Sequence, residues 1–315
     1  MIVRWGLDEL ADVLSGRPFL LATERWDEPV PVAGRWSTLP YHDLDEIAQA
    51  AEGAECLVAL GGGSTIDTAK GVSAQTGLPL VSVPTTYSGA EWTQFFGVRD
   101  PGRRRRGGGA GAHLHAIVYE PELTLDLPPE TTVGTAMNAL AHCAEALYVQ
   151  GHNDEADRHA LAGVRLIGEH LPRVLEEPHD LVARTGLLRG AAEAGEALAL
   201  SMLALGHALA QALGGRYGLP HGAMNALTLP PALRFNARVA PEAVARFGEA
   251  LGTDDPAAWV EELARLGGFG RLRDFGVPED ELDMVAEAAA GRAGNQANPR
   301  PATPAEIAQL LRSIY

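Results

Sequence analysis

Cysteine is scarce in this 315-residue chain, with only Cys56 and Cys143 present, each among apolar neighbours. Two isolated thiols exclude a disulfide framework or a cysteine-rich metal centre, and both read as buried thiols. Long apolar runs are missing too: none approaches the roughly eighteen residues of a membrane-crossing helix. The N-terminal MIVRWGLDELADVL carries charges where a signal peptide would have its apolar core. Positive charge is in deficit, since 25 Lys and Arg stand against 41 Asp and Glu, a formal net charge of −16. Such a balance repels nucleic acid and anionic membranes at long range, so neither is an expected partner. The expectation is a cytoplasmic protein.

What is present suits a globular enzyme-sized chain, long enough for two cores and 46% apolar. One stretch organises the rest, Cys56 to Lys70, CLVALGGGSTIDTAK. An apolar run stops at Gly61, Gly62 and Gly63, and Ser64, Thr65 and Asp67 lead into an alanine-rich segment. The pattern is strand, tight turn, helix. Glycines let the backbone approach a phosphate and take up a positive φ, while the helix start attracts anions. The expectation is a phosphate or dinucleotide site, with a plain αβ corner as the other explanation. Neither the six-residue dinucleotide fingerprint nor the P-loop spacing is matched, although Lys70 lies nearby.

Strand-like and helix-like segments alternate around that stretch. Leu7 to Leu14 has helical spacing, Phe19 to Thr23 is strand-like, and Glu24 to Pro40 reads as loop with a short strand around Val30 to Ala33. Asp43 to Glu52 reads as a helix capped by Asp43. After the glycine turn come a helix over Thr65 to Thr76, a strand at Leu80 to Val83 and another at Ala116 to Tyr119. This order implies a parallel sheet with right-handed crossovers, whose ligands sit at the carboxyl ends of the strands. Thr85, Thr86 and Ser88 follow one strand end and would offer hydroxyls to a phosphate or ribose. A polar turn satisfying its own backbone is the plainer explanation of them. Arg99 to Gly111, RDPGRRRRGGGAG, is the one low-complexity segment, read as a solvated loop that would otherwise hold an anion.

Pro121, Pro128 and Pro129 mark a change of domain, placing an α/β domain over 1–128 and an all-helical domain over 129–315. Helix follows helix in the second part, with breaks near Gly151, Pro178, Gly214 to Pro220, Pro241, Gly252, Gly267, Pro278 and Pro299. Three segments there carry histidine. Asn138 and His142 in MNALAHCAEALY are one helical turn apart, as are His207 and Gln211 in HALAQALGG, and His221 follows a proline in YGLPHG. Three imidazoles and an amide oxygen, if they converge, suit Zn or Fe(II). Taken singly, each histidine has the plainer explanation of a satisfied polar residue.

In order, GGGSTIDTAK, VPTTYSGAEWT, MNALAHCAEALY, and HALAQALGG followed by YGLPHG resemble the iron-containing alcohol dehydrogenase superfamily, which also holds dehydroquinate synthase-like proteins. Within it the chain is most similar to maleylacetate reductases, through Asn138 where metal-dependent members carry Asp, through TTYSGAE, and through the closing NQANPRP. The resemblance implies an α/β dinucleotide-binding domain, an all-helical domain, and a cleft in which NADH or NADPH delivers hydride to a small acidic metabolite. It places the pyrophosphate on Gly61, Gly62, Gly63 and Ser64, with Thr85, Thr86 and Ser88 close to the cofactor. The positions matching the metal ligands are Asn138, His142, His207 and His221. An amide in place of a carboxylate weakens dication binding, so a divalent metal is possible in principle but not expected. The three histidines would orient the substrate and supply a proton. A homodimer is the implied assembly.

Several residues depart from the family pattern. Gln211 stands where relatives carry a further histidine near the nicotinamide, and glutamine hydrogen-bonds without donating a proton at an ordinary pKa. Only arginines occupy the loop in which relatives have a lysine. The N-terminal domain reads as shortened, without the usual opening strand ahead of Trp5 and without most of a helix between Arg25 and Pro40. Two further readings therefore accompany the reductase: a relative that has lost redox chemistry and catalyses a lyase- or cyclase-type step, and a silent subunit that pairs with a full-length homologue.

Overall fold

The short apolar runs between Ile2 and Tyr119 become strands of one parallel sheet. The computed structural model describes residues 1–41, 43–100 and 105–315, with backbone alone at 99, 100 and 105–107. Two compact units emerge, Met1–Leu125 and Asp126–Tyr315.

In the first unit the chain runs through β1 (Ile2–Trp5), β2 (Pro18–Leu21), β3 (Gly34–Trp36), α1 (Leu44–Ala50), β4 (Cys56–Gly61), α2 (Gly63–Thr76), β5 (Leu80–Pro84), β6 (Phe96–Asp100), β7 (Arg105–Gly109) and β8 (Leu114–Tyr119). Six strands form the sheet in the order β1-β8-β5-β4-β2-β3, every pair parallel. Alternation of side chains along each strand supplies two cores. Val58 and Leu60 join Leu20, Val81, Val83 and Val118 on one face, while Leu57 and Ala59 join Phe19, Leu21, Ile66 and Val72 on the other. From β2 the chain moves outward to β3, and from β4 it moves to β5 in the opposite sense. The carboxyl ends of β2 and β4 therefore flank the point where connections reverse, which is where open α/β sheets bind ligands.

Four expectations change here. Leu7–Val13 is a 3-10 helix. The short strand lies at Gly34–Trp36 and not at Val30 to Ala33, because Pro31 has no N–H to donate to a ladder. An opening strand is present, since Ile2–Trp5 pairs with Ala116–Tyr119 on the sheet edge. Finally, part of the arginine-rich segment is a ribbon, with β6 and β7 antiparallel and Arg99 opposite Arg106. Backbone pairing among its glycines overrides the composition, whereas Arg103 and Arg104 lie outside the described residues. The Asp43 cap is as expected, its side chain accepting from the Asp45 and Glu46 N–H groups.

The second unit is helical: α3 (Pro129–Tyr148), α4 (Asp154–Glu176), α5 (Leu181–Ala199), α6 (Leu205–Tyr217), α7 (His221–Asn236), α8 (Pro241–Leu251), α9 (Pro256–Leu266), α10 (Leu282–Ala290), α11 (Ala293–Ala297) and α12 (Pro304–Ser313). Helix α3 is buried from Thr132 to Tyr148 apart from a half-buried Thr135, packed by α4, α5 and α7. Its polar residues must therefore find partners inside the protein. Buried Arg184 ties the start of α3 to α5, donating to Pro178 O and Thr132 Oγ1. Asn298 exchanges amide hydrogen bonds with Asn236, and Asn295 clasps Ala302, so much of the NQANPRP segment serves as a structural lock. Both cysteines are buried free thiols, and burial pushes each up from its ordinary pKa. No described helix is long and apolar enough to cross a membrane.

Candidate functional site

Two clusters carry the predicted residues, one in each unit. In the first, β4 ends at Gly61, and Gly62 is the N-cap of α2 with no side chain capping it. None of the three glycines has a positive φ. This corrects the expected reason for glycine, which is close packing. A Cβ on Gly61 would stand 2.6 Å from Thr65 Oγ1, one on Gly62 2.9 Å from Thr86 Cγ2, and one on Gly63 3.0 Å from Ser88 Oγ. The loop after β5 thus lies directly against the turn, anchored by the Thr85 N–H donating to Gly61 O at 3.0 Å. Ser64 is exposed at the helix start, and Thr86 Oγ1 is buried with no partner among the described residues. A free helix start beside an unspent hydroxyl is a cradle for an anion.

Two residues hold that loop in place. Glu91 is 1% exposed and accepts from Tyr119 Oη at 2.8 Å, while Trp92 Nε1 donates to the same phenol oxygen at 2.7 Å. Burial raises the Glu91 carboxyl above its ordinary pKa. Lys70 turns away from the glycine turn and donates to Phe95 O at 2.7 Å and Asp67 Oδ1 at 3.1 Å. Its role is to anchor the chain ahead of β6.

In the second unit the structure brings Asn138, His142, His207 and His221 together. The rings of His142 and His207 stack with centroids 4.8 Å apart, and that of His221 lies 5.6 Å from His207. Asn138 Oδ1 is 3.3 Å from His207 Nε2, and its Nδ2 is 3.5 Å from His142 Nε2. His142 is held well below the ordinary histidine pKa, by burial first and then by the two other rings. A ring kept neutral in this way is poorly suited to release a proton near pH 7.

Glu145 and Asn225 complete the cluster, and sequence reading passed over both. Glu145 is fully buried on α3, and its carboxylate accepts from Ala204 N–H (2.7 Å), His207 N–H (2.9 Å) and His207 Nδ1 (2.8 Å). One carboxylate thus caps α6 and fixes the ring of its third residue. Gly206 leaves room for it, since a Cβ there would stand 3.0 Å from Glu145 Oε1. Asn225, also fully buried, donates from Nδ2 to Asn138 Oδ1 at 2.6 Å and lies 3.1 Å from His221 Nε2. The available signals were spacings, since Glu145 is seven residues from Asn138 and Asn225 four from His221, each pair on one helix face.

Gln211 lies one turn beyond His207 and is outside this network. Its side-chain oxygen accepts from Arg292 at 3.4 Å, and Arg292 also donates to Gln211 O at 3.2 Å. A guanidinium therefore reaches the position. Among the described residues, no three His, Cys, Asp or Glu side chains gather in a metal-binding arrangement.

Comparison with known proteins places these features. Residues 132–315 match the C-terminal Fe-containing alcohol dehydrogenase family, and residues 37–118 match iron-containing alcohol dehydrogenase. The maleylacetate reductase of Burkholderia cepacia is 38% identical over 264 residues, covering 84% of this chain and 74% of that protein. That of Pseudomonas knackmussii is 39% identical over 271 residues, covering 86% and 76%. The crystal structure of maleylacetate reductase from Agrobacterium tumefaciens superposes with a TM-score of 0.90 at 29% identity, covering all of this chain and 95% of that one. A putative alcohol dehydrogenase from Ralstonia eutropha JMP134 gives 0.92 at 33%, again over the whole chain and 95% of its counterpart. With its parallel-sheet α/β domain and helical remainder, the chain belongs to the Fe-containing alcohol dehydrogenase family of oxidoreductases.

Proposed function

We propose that this oxidoreductase is an NAD(P)H-dependent reductase of a small oxo-acid, of the maleylacetate reductase type, working without a required metal. The observation that carries the reading is the cluster of Asn138, His142, His207 and half-buried His221, with the His207 ring held by buried Glu145, in a chain 38–39% identical to maleylacetate reductases.

A nicotinamide dinucleotide is the hydride donor, and Gly61, Gly62, Gly63 and Ser64 hold its pyrophosphate. The open helix start, Thr86 Oγ1 and neighbouring Thr85 and Ser88 support this role. The imidazole cluster polarises the substrate carbonyl. His207, oriented through its Nδ1 by Glu145, is the best-placed of the three to pass a proton to the new alkoxide, and neutral His142 serves as an orienting group. Arg292, beside Gln211, supplies positive charge for a substrate carboxylate, in keeping with an acidic metabolite.

The donor set supports metal independence. Three imidazoles and an amide carry no negative charge, and Asn138 Oδ1, one of the matched ligand atoms, already accepts from Asn225 Nδ2 at 2.6 Å. A dication needs free lone pairs converging on one point. The neutral donor set favours the metal-independent reading, and no step is assigned to a metal.

A titration of purified, metal-analysed protein with NADH and NADPH, followed by maleylacetate reduction, tests the reading. Saturable binding and turnover are expected. Arg292→Ala should then raise the KM for the oxo-acid about tenfold while leaving cofactor affinity unchanged. A folded protein that binds neither nucleotide would overturn the reductase and turn attention to a non-redox step or a partner subunit.

A further inference from the structure

Gln211 sits on α6 one helical turn beyond His207, so its side chain projects from the same face as the ring that Glu145 holds. Two oxygens of this one residue face one guanidinium. Arg292 Nη1 donates to Gln211 Oε1 at 3.4 Å, and Arg292 Nη2 donates to Gln211 O at 3.2 Å. Arginine can only donate, which fixes the amide with its oxygen toward Arg292, and the main-chain carbonyl needs no such assignment.

Arg292 is itself placed by the segment around it. It is the N-cap of α11, and its carbonyl accepts from the Gln296 N–H at 3.1 Å. Asn295, buried in the same helix, donates to Ala290 O and Ala302 O and accepts from the Ala302 N–H, so the chain is pinned on both sides of Arg292. Gly294 lets α11 approach the start of α6, since a Cβ there would stand 2.6 Å from Ala204 O. A half-buried cation is thus built against the helix that carries His207. The two Gln211 oxygens are neutral, so they orient the planar guanidinium without cancelling its charge.

We propose that Gln211 is a positioning residue that sets substrate preference. It holds Arg292 about one helical turn along α6 from His207, so that the site favours an oxo-acid whose carboxylate meets the guanidinium while its carbonyl lies at the imidazoles. Gln211 itself transfers no proton. The inference rests on the oxo-acid reductase reading above.

Steady-state reduction of maleylacetate by Gln211 variants, in the wild-type and Arg292→Ala backgrounds, tests it. Gln211→Met keeps the length of the side chain but removes its acceptor, and it should raise the KM for maleylacetate about fivefold with kcat little changed, the mark of lost ground-state binding. The same change in the Arg292→Ala background should add nothing, because Gln211 acts through the guanidinium. Gln211→Glu keeps both oxygens but neutralises Arg292, and a rise in KM of about tenfold or more is expected. A wild-type KM in both variants, each shown to be folded by its melting temperature, would overturn the proposal. An equal fold loss from Gln211→Met with and without Arg292 would do the same, as would a fall in kcat with KM unchanged, which would place Gln211 in the chemical step. If wild type binds neither nucleotide, the reductase reading falls, and calorimetric titration of maleylacetate onto the nucleotide-free variants decides the role of Gln211 by the same ratios.

Discussion

Glu145 is the residue on which the histidine cluster turns. Its carboxylate accepts from two backbone N–H groups and one imidazole, all of them buried. Glu145→Ala would orphan three donors at once. The expected loss is about 3–5 kcal/mol of stability in urea unfolding, the usual range for breaking a buried pair. Removing the group that orients the His207 ring should also lower kcat by about a hundredfold in the folded fraction. Unchanged stability would mean that water replaces the carboxylate without cost. The sequence showed this residue only as one acidic letter in MNALAHCAEALY. Asn138 and His142 stood out because their side-chain types suggest ligation. Glu145 acquires its role from a helix start that arrives from far along the chain.

At the scale of elements, the glycine turn is the clearest case of local chemistry written in the sequence. Strand β4, the turn and α2 lie within a few residues of their expected bounds. The reason for glycine differs from the expectation, being contact with Thr65, Thr86 and Ser88 instead of left-handed backbone. Gly62→Val should therefore push against Thr86, destabilise the fold by about 1–3 kcal/mol and weaken dinucleotide affinity at least tenfold. Unaltered affinity in a folded variant would make the turn purely structural. The break between α5 and α6, at Leu200 to Ala204, was illegible for a related reason. No proline or glycine lies within it, and α6 begins there because Glu145 supplies the cap.

For the molecule as a whole, the response to acid follows from its carboxylates. Glu306, in the capping box that starts α12, is drawn down to about 2 by the Arg300 guanidinium and then by the Thr303 N–H, from an ordinary value of 4.5. A carboxyl that ionises more readily in the folded state stabilises the fold fully above the unfolded value, and that contribution fades as pH falls from about 4.5 toward 2. Glu306→Gln should accordingly melt below wild type at neutral pH, with the gap narrowing at about pH 3. A gap of the same size at both pH values would show that the pair is not the source. With Arg300 half-exposed, solvent screens this pair, so the effect is modest.

By itself the sequence determined the fold class, the central strands and most helices, the glycine turn and the histidine-bearing segments, because periodicity, caps and glycine spacing act over a few neighbouring residues. The same short-range signals distinguish the parallel α/β sheet from the helical remainder, and four ordered motifs carried the family. Tertiary structure alone decided that Asn138, His142, His207 and His221 meet, that Glu145 holds the His207 ring and Asn225 donates to Asn138, and that Arg292 reaches Gln211. These contacts join residues dozens of positions apart. Their energies arise only when packed helices exclude water and leave each buried donor to the acceptor that the fold brings to it.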